Sequence, residues 1–92
     1  MPPLSPAEVA SHLSALPAWQ IEAGHLVRTF QFEDFRAALG FVNRVADLAE
    51  EAGHHPDIDI RYNRVRLALV THDAGGLTAK DFDLAALADK TA

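Results

Sequence analysis

The residues best suited to chemistry lie in the second half of the chain: Glu50, then His54-His55-Pro56, then His72, with Asp81 following. Histidine titrates near neutrality, so one imidazole can give up a proton while a neighbour takes one. A carboxylate close by can orient an imidazole and favour its charged form, and both Glu50 and Asp81 are candidates. Glu50 and His54 are four apart at the end of a helix, a spacing that lets them approach if the last turn holds. Gly53 breaks that helix, and Pro56 stiffens the connection carrying the two histidines. The plainer reading is that His54 and His55 are polar residues interacting with a helix dipole, and that His72 is a surface residue at a strand end.

No other chemistry competes strongly. The serines and threonines lack a nucleophile-elbow context, and Gly75-Gly76 is too short for a phosphate loop. A zinc site combining His54 or His55 with His72 and Asp73 or Asp81 is the metal alternative. Adjacent histidines diverge more readily than an i, i+4 pair, and no HExxH stands in the sequence, so no metal is assigned. The chain of 92 residues has no cysteine, which removes disulfides and thiolate chemistry and fits a reducing compartment. Its formal net charge of −5 argues against a nucleic-acid partner, which would need clustered Lys and Arg. No apolar run is long enough for a membrane span, and Met1-Pro2-Pro3-Leu4-Ser5-Pro6 has no signal-peptide character. A cytoplasmic protein of one domain, residues 1–92, is expected.

The elements that must position the histidines are legible from patterning. Ser5-Pro6-Ala7-Glu8 starts a short helix running to about Ser14. Trp19 to Glu22 and Leu26 to Phe32 are two strands joined at Ala23-Gly24. Phe35 to Ala52 is a long helix. Its apolar stripes, Phe35-Leu39-Val42-Ala46-Ala49 and Ala38-Phe41-Val45-Leu48-Ala52, together exceed what one sheet face needs. Either a second subunit or a terminal helix covers the surplus. Ile58, Ile60 and Tyr62 alternate with polar residues in a third strand. Asn63 marks a turn, and Val65, Leu67, Leu69 and Thr71 form the inward face of the fourth. Thr78 caps a last helix, with Asp81 at its third position.

The order helix-strand-strand-helix-strand-strand-helix predicts an α+β two-layer sandwich, a four-stranded antiparallel sheet with helices on one face. Arg61, Arg64 and Arg66 then point from the other face. In the second hairpin the end of the last strand returns near the start of its partner, directly after His54-His55. The topology therefore predicts His72 beside that pair.

Glu50, three residues, His54-His55-Pro56, five residues, Tyr62, nine residues, His72, eight residues and Asp81 resemble the signature of the pterin-4a-carbinolamine dehydratase family. Trp19, Phe30-Gln31-Phe32, Gly40-Phe41, Tyr62-Asn63, Thr71-His72 and Ala74-Gly75-Gly76-Leu77 extend the resemblance over about residues 17 to 90. The resemblance implies dehydration of 4a-hydroxytetrahydropterin to quinonoid dihydropterin, a hydro-lyase reaction that needs no cofactor. It implies a homodimer or homotetramer, and a place in recycling the pterin used by aromatic amino acid hydroxylases. It implies that His54, His55 and His72 surround the pterin, with Glu50 and Trp19 supporting. Two positions depart from animal members: Ile58 replaces an aromatic residue, and Lys80 replaces arginine, keeping charge but losing a bidentate contact. Some family members serve instead as partners of other proteins, so a non-catalytic assembly factor on the same fold is the alternative.

Overall fold

The computed structural model describes residues 2–92. Met1, the first residue of the expected domain and of the N-terminal stretch, lies outside the described residues. The chain runs α1 (Pro6–Leu13), β1 (Gln20–Glu22), β2 (His25–Gln31), α2 (Phe35–Ala52), β3 (Asp57–Arg61), β4 (Arg64–Leu69), a 3-10 turn (His72–Ala74) and α3 (Ala79–Thr91).

Local chemistry starts each helix. Ser5 and Glu8 exchange hydrogen bonds in a capping box at α1, with Pro6 at the first helical position. At α2 the Asp34 side chain accepts from the Ala37 N–H at 2.8 Å. At α3 the Asp81 carboxylate reaches back to the Thr78 N–H at 2.9 Å.

The four strands form one antiparallel sheet in the order β1-β2-β4-β3. The first hairpin turns through Ala23 and Gly24, both at positive φ, which matches the right-handed strand twist. In the second hairpin Tyr62 belongs to the turn, not to a half-buried strand. It sits at φ 51° and its side chain is exposed. Asn63 ties that turn to the sheet by donating to the Phe32 carbonyl at 2.9 Å. The two hairpins join through β2 and β4, from Leu26↔Leu69 to Gln31↔Arg64. These are the strands with the strongest apolar faces. β1 and most of β3 are exposed and take the edges, where polar side chains discourage further pairing.

All three helices contribute to one side of the sheet. Leu26, Phe30, Val65, Leu67 and Leu69 meet Ala38, Phe41 and Val45 of α2 and Leu84, Ala85 and Ala88 of α3 in one buried cluster. The Phe30 and Phe41 rings lie 4.6 Å apart at its centre. Arg61, Arg64 and Arg66 are exposed on the second hairpin, as the alternation requires. Of the two apolar stripes on α2, the one through Ala38, Phe41 and Val45 faces the sheet. The other is left half covered: Phe35 and Ala46 are exposed, and Leu39 and Val42 are half-buried.

Candidate active site

The site begins where α2 stops. Gly53 adopts φ 62°, a left-handed conformation that favours glycine. Its N–H donates to the Glu50 carbonyl, and the His54 N–H donates back to the Ala49 carbonyl at 3.1 Å. This pair of bonds is a Schellman closure, and it reverses the chain within two residues. The reversal decides which histidine meets which acid. His55, not His54, pairs with Glu50. The i, i+4 spacing fails because the helix no longer continues at residue 54. His54 turns inward instead, and its Nε2 lies 2.6 Å from Asp81 Oδ1 on α3.

His72 arrives from the other end of the second hairpin. The β4 ladder ends at Leu69, earlier than the alternation suggests. Thr71 then makes a single bridge to Gly76. His72 therefore opens a 3-10 turn and does not end a strand. Gly75 closes that turn at φ 73°.

His54, His55 and His72 line one open cavity of about 250 Å³, together with Thr71, Asp73 and Lys80. That volume is a little below the usual range for a small-molecule site. Its wall carries three imidazoles and one ammonium group, a set that can hold, donate and accept protons around one polar ring. An antiparallel hairpin returns residue 72 to residues 54 and 55 in this way.

The remaining candidates are not among the residues that line the cavity. Glu50 reaches it only through His55. Asp81 has no solvent exposure and acts from beneath, holding His54. Pro56 is half-buried between His55 and β3 and is not among the cavity's lining residues. Trp19, expected beside the substrate, is not there either. It is buried in the core, and its indole N–H donates to Asp89 at 2.9 Å. Arg28 binds the same Asp89 oxygen at 2.6 Å while its guanidinium lies 4.1 Å from the Phe30 ring centroid. The physical reason is sheet order: Trp19 precedes β1, at the edge opposite the β3 strand that follows His55. The Trp19–Arg28–Asp89 cluster joins residues 61 and 70 positions apart, so no spacing rule could have found it. Thr71 did leave a signal, a hydroxyl at the inward position of an apolar alternation.

A family model described as Pterin 4 alpha carbinolamine dehydratase matches residues 2–91. The chain belongs to that family. Among its relatives, a protein of Acidobacterium capsulatum is 65% identical over 86 residues, covering 94% of each chain. One of Chloroflexus aurantiacus is 64% identical over 90 residues, covering 98% of this chain and 97% of its own. Both carry the provisional name pterin-4-alpha-carbinolamine dehydratase. A solved structure from Brucella melitensis, titled a transcriptional coactivator/pterin dehydratase, superposes with a TM-score of 0.94. It shares 36% identity and 98% of each chain is covered. The activity for which the pterin-4-alpha-carbinolamine dehydratase family is named is that of a hydro-lyase, the removal of water from a pterin carbinolamine. No helix among the described residues is long and apolar enough to cross a membrane.

Proposed function

We propose that this protein dehydrates 4a-hydroxytetrahydropterin to quinonoid dihydropterin, with His54 and His72 as its acid–base pair. The observation that supports this most is a single cavity with three imidazoles on its wall. In the reaction a proton reaches the C4a hydroxyl oxygen and the C4a–O bond breaks. The lone pair of the adjacent ring nitrogen forms the new C=N bond, and a ring N–H proton passes to a base. One water leaves, and the substrate is neither oxidised nor reduced. The work asked of the protein is therefore proton transfer and alignment, which positioned imidazoles supply. His55 binds the ring or the leaving hydroxyl, and Glu50 orients His55. The product re-enters the pool of pterin used by aromatic amino acid hydroxylases.

The test is dehydration of a synthetic 4a-hydroxypterin measured against the spontaneous rate. His54→Ala and His72→Ala should each lower kcat by roughly 10²–10⁴-fold. His72 is exposed, so its variant should keep the wild-type melting curve. Wild-type kcat in both variants would reject the assignment.

A second reading, a protein-binding factor, is favoured by the coactivator name of the Brucella structure. A pure binding role predicts no acceleration of dehydration by the wild-type protein. Assembly into two or four copies belongs to the same proposal, because Phe35 on α2 is 47% exposed beside half-buried Leu39 and Val42. Sedimentation as a monomer at micromolar concentration would remove it.

A further inference from the structure

Beneath the cavity lies a closed polar network that the acid–base pair alone does not require. Asp81 is fully buried, Thr71 is 8% exposed and Thr78 is 3% exposed. Asp81 Oδ1 faces His54 Nε2 at 2.6 Å. Asp81 Oδ2 accepts from the Thr71 hydroxyl at 2.8 Å and from the Thr78 N–H at 2.9 Å. The Thr71 and Thr78 hydroxyls are themselves 2.8 Å apart. Among the described residues no buried side-chain nitrogen or oxygen lacks a partner.

The direction of every bond in this network follows from what each group can do. A carboxylate only accepts, so the proton on its bond to the imidazole sits on His54 Nε2. Thr71 has one hydroxyl proton and spends it on Asp81. The bond between the threonines is therefore donated by Thr78. With Nε2 committed as a donor, the lone pair of neutral His54 is on Nδ1. Among the described residues no hydrogen bond from the chain occupies Nδ1. The second tie runs to His72. The Thr71 carbonyl accepts from the Ala74 and Gly75 N–H groups, each at 3.1 Å, and these bonds fold the turn that carries His72. One residue thus fixes both histidines, by its side chain on one and by its backbone on the other.

We propose that Thr71 and Thr78 are positioning residues which, through Asp81, hold His54 as its Nε2–H tautomer, so that Nδ1 is the atom that takes up the substrate's proton. This rests on the dehydratase reading, and it assigns the base role to His54 and the acid role to His72.

Two measurements decide it. In the wild-type protein, two-bond ¹⁵N–¹H correlations followed to the pH at which His54 is neutral should show it protonated on Nε2. In Asp81→Asn the amide oxygen keeps the Thr71 and Thr78 donors, which turns the amide NH₂ toward His54. The proton should move to Nδ1, and kcat should fall by roughly 10²–10⁴-fold. Thr71→Val removes only the hydroxyl. It should lower kcat roughly tenfold with little change in KM, and Thr71→Ser should restore it. The Thr71 pair keeps the proposal falsifiable if Asp81→Asn fails to fold. A wild-type His54 protonated on Nδ1, or wild-type kcat in Thr71→Val, overturns the proposal. If the wild-type protein gives no acceleration at all, the dehydratase reading has failed, while the tautomer of His54 still reports separately on the network.

Discussion

Two histidine–carboxylate pairs sit side by side in this protein, and they differ in nearly everything but chemistry. The His54–Asp81 pair is at the floor of the cavity, with side chains 11% and 0% exposed. The His55–Glu50 pair is at its rim, with side chains 61% and 76% exposed. The floor pair joins two helix ends 27 residues apart and shares its carboxylate with two further donors. The rim pair spans five residues and shares nothing with the core. Removing a group from the floor strands partners that are largely shielded from water, whereas the rim loses an interaction that solvent already weakens. Adjacent residues in the sequence therefore take on different work. His54 is held from below by a buried acid, and His55 is held from the side by an exposed one.

The sharpest way to break this comparison is Asp81→Ala. It orphans His54 Nε2 and the Thr78 N–H together, and leaves the Thr71 hydroxyl only its bond to Thr78. Unfolding by urea should show a loss of about 3–5 kcal/mol. A loss below about 1 kcal/mol would mean that the floor behaves like the rim.

Glu50→Gln makes the matching cut at the rim. The stability change should lie within about 0.5 kcal/mol and should shrink further in high salt. Activity should fall less than in the His54 and His72 variants, because Glu50 reaches the cavity only through His55. A stability loss as large as that of Asp81→Ala would erase the distinction between the two pairs.

The smallest effect is expected at Glu8, a fully exposed acid on α1. Its pKa is held below the ordinary value of 4.5. The main cause is the Ser5 backbone N–H, followed by the Ser5 side chain, with nearby His12 adding a lesser attraction. A lowered carboxylate pKa means that the unfolded chain binds the proton more readily. The contribution to stability is thus present above pH 4.5 and is lost as the pH falls through the folded value. Melting curves of the wild type and of Glu8→Gln should converge in acid and separate slightly near neutrality. Equal separation at every pH would show that the acid contributes nothing through its charge.

Much of the local structure was open to reading because its causes are local. Ser5-Pro6-x-Glu8 and Thr78 at helix starts, Gly53 at a helix end and Ala23-Gly24 between strands each act through neighbours within a few residues. The convergence of His72 with His54 and His55 was legible too, since an antiparallel hairpin returns to its origin whatever surrounds it. Local rules give way where they meet a tertiary constraint. Helical spacing brings Glu50 to His54 only if the last turn holds, and the left-handed Gly53 delivers His55 to it instead. Tyr62 followed the strand alternation but was taken by the turn. Trp19 resembled a pocket residue and lies instead in a core cluster with Arg28 and Asp89.

From composition and order alone came the layer architecture, the absence of thiol chemistry and three imidazoles with a common destination. These depend on periodicity and chain connectivity, which a sequence carries in full. Packing alone decided the sheet order β1-β2-β4-β3, the burial of Asp81 and the choice of acid for each histidine. Those outcomes depend on which apolar faces meet across dozens of residues, and on where a buried carboxylate finds enough donors to stay.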